Sequence, residues 1–230
     1  MEKIRQLFTA DESYRKNMQS FTLRDTAIAV VYYTGLMALY YIIGHLYAVT
    51  KIRLSIPMNI ILMLIPVFIC RRALSRTGIS KNKLKPSLIM GCVIGGIFLL
   101  SYTVIPCIIA HRQLLPAANI AYNIFFFFLI IGLSEEISFR GFIQPRLFPL
   151  CKHEWLTVLV GGVLFVFMHF PFQMAARQMT FAEYWPLFLE NAPMQMILHF
   201  VFTWLCRRYG NIFGSTVMHG LVDMTGGIFC

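Results

Sequence analysis

The stretch Ile124–Phe142, IFFFFLIIGLSEEISFRGF, decides the fold. A run with no charge, IFFFFLIIGL, leads straight into two adjacent carboxylates, Glu135 and Glu136, and then into Arg140. A helix apolar on every side has no water-facing surface, so this run needs a bilayer or a large core around it. The rest of the chain decides for the bilayer. Of 230 residues 58% are hydrophobic and only 13% charged, against about 45–50% and about 25% in an ordinary soluble domain. Mean hydropathy is +0.67. So few polar side chains cannot coat a water-facing surface, which excludes a soluble globular protein. The 21 Phe, 10 Tyr and 3 Trp exclude disorder.

Seven apolar segments follow, at about 26–49, 54–70, 86–110, 117–139, 155–170, 185–206 and 210–229. They predict an all-α, polytopic transmembrane helical bundle of about seven to eight spans, with a polar cavity among the C-terminal helices. Residues 1–25 form a polar N-terminal segment with no cleavable signal, and 26–230 form a single membrane-embedded domain. The sixth segment holds Glu190, Asn191 and Pro193, so it is expected to start late or be broken, and Glu190 is a candidate to line the cavity.

The net charge of +10 sits in the connections between apolar runs, which is a topology signal and not a nucleic-acid footprint. Alternate connections carry sixteen and four Lys and Arg: one side holds Lys3, Arg5, Arg15, Lys16 and Arg24, six in 71–85, then Arg140, Arg146, Lys152, Arg207 and Arg208, and the other holds Lys51, Arg53, Arg112 and Arg177. The richer side is the cytoplasm, so the N-terminus is expected inside a multi-pass cell-membrane protein. The six cysteines form no CxxC pair, which speaks against a zinc ribbon or a disulfide framework.

Three polar groups interrupt the apolar runs, where charge costs at least about 2.5–3.5 kcal/mol per residue. Glu135, Glu136 and Arg140 close the fourth segment, and the spacing of four lets Glu136 pair with Arg140 while Glu135 points elsewhere. Phe165 and His169 share a face of the fifth, and His219 and Asp223 a face of the last. Each alone also fits a bland role: an interfacial salt bridge, a core histidine with one hydrogen bond, a pair within the bundle. Together they supply two Glu, an Arg, two His and an Asp, the ingredients of general acid–base hydrolysis. His45, His111, His153 and His199 have no partner at helical spacing and are expected at the interface or in the core.

The ordered set EEISFR at 135–140, FVFMH at 165–169 and HGLVD at 219–223 resembles the CAAX protease and bacteriocin-processing family, also called Abi or type II CAAX prenyl endopeptidases. The likeness covers only the C-terminal hundred residues or so. It implies a cavity open toward the cytoplasm, in which Glu135 with His169 activates a water. Glu136, Arg140 and Phe165 would support the site or the substrate, and His219 with Asp223 would stabilise the oxyanion. The family often has Asn at the last of these positions. Asp223 donates only when protonated, and otherwise orients His219.

The implied activity is an intramembrane endopeptidase with no cofactor, acting near the cytoplasmic membrane face. A CAAX-type tail, a peptide pheromone and a bacteriocin precursor fit it alike as the peptide or protein substrate. The compact chain points to a bacterial or archaeal plasma membrane. Two alternatives stand beside it. One is a zinc peptidase using Glu135, His169 and His219, which lacks an HExxH pair. The other is a non-catalytic immunity or regulatory protein that keeps the bundle and binds a partner. Oligomeric state is left open.

Overall fold

The computed structural model describes residues 9–52 and 54–230; Lys3, Arg5 and Arg53, counted in the charge asymmetry above, lie outside the described residues. Eight helices are present among those residues: α1 Glu12–Gln19, α2 Leu23–Thr50, α3 Ser55–Ile69, α4 Leu84–Ile109, α5 Ala117–Cys151, α6 Glu154–Ala176, α7 Phe181–Tyr209 and α8 Phe213–Asp223. No strand forms among them; the only extended pairing is one isolated bridge, Leu114 to Phe229. The fold is all-α, and each of the seven apolar segments becomes one helix, α2 to α8.

Four of the eight, α2, α4, α5 and α6, are long and apolar enough to cross a membrane. α3 is apolar but only 15 residues long, and α8 has 11 residues. α7 is long, 29 residues, but carries Glu183, Glu190, Arg207 and Arg208. Large apolar side chains on the outside of the bundle, such as Val31 at 73%, Phe68 at 66% and Ile109 at 73% exposure, mark the lipid-facing surface.

Local chemistry sets the helix ends. Thr22 and Asp25 form a capping box at the start of α2, and Thr180 and Glu183 form another at the start of α7. Each satisfies two backbone N–H groups that the first turn leaves without partners. Lys51 and Gly210, in left-handed conformation, close the same two helices.

Three expected boundaries move. α5 runs on through Ile137–Ile143 to Cys151 instead of ending near 139. Every residue from Ile137 to Ile143 is buried, and the one charge among them, Arg140, pairs with Glu136, so nothing forces the helix to stop. α6 continues through Pro171 to Ala176. α7 is unbroken across Pro186 and Pro193, with Asn191 Nδ2 donating to Leu187 O at 2.8 Å between them.

The helix ends gather into two poles. At one, Asp11 N–H donates to Arg207 O at 2.7 Å, Thr26 Oγ1 donates to Arg146 O at 2.6 Å, and Arg207 pairs with Glu154. This joins the start of α2 and α6 to the end of α5 and α7, and it is the arginine-rich pole. At the other, Thr103 Oγ1 donates to Thr225 O at 3.3 Å and Asn123 Nδ2 donates to Gly227 O at 2.9 Å, tying the end of α4 to the start of α5 and the end of α8.

α8 sits deep in the bundle because glycines admit it. A Cβ on Gly91 of α4 would lie 2.2 Å from Gly214 O, and one on Gly220 would lie 2.6 Å from the Phe128 ring. Backbones this close need small residues on both sides. The largest core cluster joins α2, α3, α5 and α6 through Tyr32, Leu36, Tyr40, Leu62, Phe139, Phe142 and Phe165.

Candidate active site

The motif residues converge from three helices. α5 carries Glu135, Glu136 and Arg140 between two π-helical stretches, Phe126–Gly132 and Ile137–Ile143. Such wide turns insert extra residues and re-aim the side chains they flank, and they recur at functional sites. Glu135 therefore lies mid-helix and not at the end of a span. At ~1.5 Å per residue it is ~24 Å from Cys151, and His169 is ~22 Å from Glu154 by the same rise. The two reach the same depth because α5 runs past its expected end to Cys151.

Glu136 is fully buried; its Oε1 accepts from His219 Nδ1 at 3.0 Å and forms an ion pair with Arg140 Nη1 at 3.1 Å. The carboxylate accepts, so Nδ1 of His219 carries the hydrogen. His219 Nε2 then faces two further carboxylates, Glu135 Oε2 and Asp223 Oδ2, each at 3.7 Å. Asp223 is the most exposed of these groups, with 28% of its side chain accessible.

Glu135 Oε2 is buried and has no hydrogen-bond partner among the described residues. A buried carboxylate oxygen left this way is costly, and such exceptions cluster where chemistry is done. Glu135 and His169 line one cavity of about 170 Å³, together with Tyr40, Asn59, Met58 and Gln173. The Nδ1–H of His169 donates to Phe165 O at 3.0 Å, so the lone pair of the neutral ring is on Nε2.

Phe165 is the hub of the aromatic packing. Its ring centroid lies 5.2 Å from that of His169, 5.6 Å from His199 and 6.3 Å from His219, and the Arg140 guanidinium sits 4.0 Å above its face. Phe202 stacks on His219 at 4.7 Å. Both rings fix imidazole planes that a polar cavity would otherwise leave loose.

His199 lies in the core, one of the two places expected for it, but its bond to Arg140 was not foreseen. It is fully buried on α7, and its Nδ1 accepts from Arg140 Nη2 at 3.0 Å while its Nε2–H donates to Val158 O at 3.1 Å. Arginine can only donate, so this tautomer is fixed. Tyr40 and Asn59 were missed, since each lies on a helix with no motif of its own. Glu190 is exposed and lies outside the cavity. Its helix turns that position outward, so it does not take the lining role expected of it. A second cavity, about 400 Å³, reaches Arg140 from the arginine-rich pole past Tyr14 and Asn211.

Residues 117–225 match the family described as type II CAAX prenyl endopeptidase Rce1-like. All three motifs fall inside this stretch, and so do His199 and both π-helical stretches. Among curated proteins, UPF0177 protein YxdF of Lactococcus lactis subsp. lactis (strain IL1403) is 28% identical over 99 residues, 43% of this chain and 45% of that protein. The alignment thus spans less than half of the relative's length. No solved structure matches the chain. Tyr40 and Asn59 come from α2 and α3, outside the matched residues 117–225, so helices that precede the match complete the cavity. Among the described residues, no group of three or more His, Cys, Asp or Glu is placed to hold a metal ion.

Proposed function

We propose that this chain is an intramembrane endopeptidase in which Glu135 and His169 activate a water without a metal. The Rce1-like match supports a CAAX-type membrane protease in general terms. The observation that carries the finer reading is the shared cavity of Glu135 and His169, with Glu135 Oε2 buried and unbonded.

In this reading a water between the two groups loses a proton to Glu135 as its oxygen bonds to the carbonyl carbon of the substrate. The resulting oxyanion is met by His219 Nε2–H. Because Nδ1 already donates to Glu136, this donation requires the imidazolium, whose charge the nearby carboxylates balance. The Tyr40 hydroxyl, lining the same space, is a further donor. His169 Nε2 relays the proton to the leaving nitrogen as the C–N bond breaks, giving a carboxylate and an amine.

Glu136, Arg140 and His199 act as positioning residues, with Asp223 holding the Nε2 side of His219. The scissile bond meets Glu135 about mid-bundle, not at the membrane face expected from the sequence. We assign the arginine-rich pole to the cytoplasm by the excess of Lys and Arg there. A CAAX tail, a peptide pheromone and a bacteriocin precursor remain the substrate classes of this proposal.

The test is cleavage of a membrane-tethered peptide library by purified protein, with Glu135→Ala and with excess chelator in parallel. Cleavage that persists with chelator and vanishes in the variant supports the proposal. Loss with chelator would favour a zinc peptidase, and an inert wild type in every condition a binding or immunity role.

A further inference from the structure

Outside the candidate site the strongest uncompensated charge lies at the arginine-rich pole. A cavity of about 450 Å³ there is lined by Arg71, Arg72, Arg76 and Arg146, with Asp25 as the single carboxylate. Four guanidiniums against one carboxylate leave a net charge of +3. Asp25 is already engaged by Arg76 at 3.3 Å.

Arg146 is the unusual member. It is only 2% exposed, yet among the described residues no carboxylate lies in ion-pair range of it. Its donors go to neutral groups instead: Nη1 to Phe142 O at 2.9 Å and Nη2 to Cys70 Sγ at 3.0 Å. The Phe142 and Phe21 rings lie 3.8 and 4.3 Å from its guanidinium. These contacts satisfy hydrogen bonds and stabilise a cation in part, but its charge is met only at longer range by Asp25, which Arg76 already shares, and a buried charge ordinarily has a close counter-ion.

An apolar groove starts where this cavity ends. It runs between α2 and α3, has a volume of about 680 Å³, and shares Ile69 with the arginine cavity. Val31, Ile65 and Ile69, which line it, are 73%, 40% and 43% exposed and face the surrounding lipid. A second apolar groove, about 590 Å³ beside Trp155 and Trp204, also ends on an arginine, Arg207. That arginine is paired with Glu154, so its charge is already met.

We propose that the arginine cavity and the α2–α3 groove together form one site for an anionic phospholipid. Its phosphate lies among Arg71, Arg72, Arg76 and Arg146, and one acyl chain lies between α2 and α3. The phosphate supplies the close counter-charge that Arg146 lacks, with guanidiniums able to take two of its oxygens at once. The chain covers apolar side chains that bulk lipid contacts only loosely. Basic pockets between spans at the cytoplasmic interface take anionic headgroups for the same reason. The site lies apart from Glu135 and stands whether or not the chain is a protease.

The test is native mass spectrometry of the purified, delipidated full chain in neutral detergent. It is titrated with phosphatidylglycerol, with phosphatidylcholine of the same acyl chains, and with inorganic phosphate as competitor. Phosphatidylglycerol is expected to bind about tenfold or more tightly than phosphatidylcholine. Arg71→Gln with Arg72→Gln, both at exposed positions, should bring the two lipids close to parity. Gly35→Leu should weaken both lipids, because Gly35 lines the groove and a Cβ there meets no atom within 4 Å, so the added side chain starts in open space. Equal binding of the two lipids by the wild type would overturn the proposal. So would displacement of phosphatidylglycerol by stoichiometric inorganic phosphate, which would mark a free-anion site. The wild-type comparison decides alone if a variant does not fold.

Discussion

Glu136 Oε1 accepts from His219 Nδ1 at 3.0 Å and pairs with the Arg140 guanidinium at 3.1 Å, with no part of its side chain exposed. One carboxylate thus fixes a cation on its own helix and an imidazole on α8. The adjacent Glu135 keeps its Oε2 without a hydrogen-bond partner among the described residues. Two neighbouring residues of the same type therefore have separable jobs, and their variants should fail in different ways.

Glu136→Gln keeps the shape but removes the charge that answers Arg140 and His219. Breaking a buried ion pair from one side costs about 3–5 kcal/mol. Thermal unfolding in detergent should show a clearly lowered midpoint, with activity lost alongside it. An unchanged midpoint would mean that the pair is not held as described.

His199→Ala leaves Arg140 Nη2 without its partner, which costs about 1–3 kcal/mol for a buried group. His199→Gln should recover part of that loss, since its amide can accept from the arginine and donate to the Val158 carbonyl. Denaturation midpoints of the two variants against wild type give the comparison.

Tyr40→Phe removes one hydroxyl from the wall of the Glu135 cavity and nothing from the core packing. Turnover should fall about a hundredfold to a thousandfold, the range for one lost transition-state donor, with little change in KM. A turnover equal to wild type would take Tyr40 out of the mechanism.

The α1 helix gives a pH test away from the membrane. Burial alone would push the Asp11 carboxyl up. Hydrogen bonds from Lys83 Nζ and from the Ser13 hydroxyl and backbone N–H outweigh it and hold the group below the ordinary carboxylate range. A depressed folded value means stability that is present above the unfolded pKa of about 3.9 and lost as pH falls through the folded value. The difference in thermal midpoint between wild type and Asp11→Asn should therefore stay constant from neutral pH to about pH 5, then shrink below about pH 4. A difference that grew on acidification would contradict the pairing.

Much of this was legible beforehand, and the misses have physical causes. The all-helical bundle followed from apolar runs that no water-facing fold could use. The pairing of Glu136 with Arg140 followed from helical spacing, and it holds at 3.1 Å even though π-helical turns begin directly after Glu136. The end of α5 was misplaced because a charge was read as the edge of the bilayer, while Arg140 is neutralised inside the protein. The bond of His199 to Arg140 escaped notice because the partner is 59 residues away on another helix, and no local pattern encodes a contact between helices. Tyr40 and Asn59 were hidden for the same reason.

The most direct test of the central claim is to measure peptide cleavage and thermal midpoint together on Glu135→Gln. Glu135 Oε2 is buried without a partner, so the neutral amide should leave the midpoint equal to or above that of wild type. Cleavage should fall at least about a hundredfold, the lower end of what a general base supplies. Cleavage within a few-fold of wild type by a fully folded Glu135→Gln would contradict Glu135 as the group that activates water.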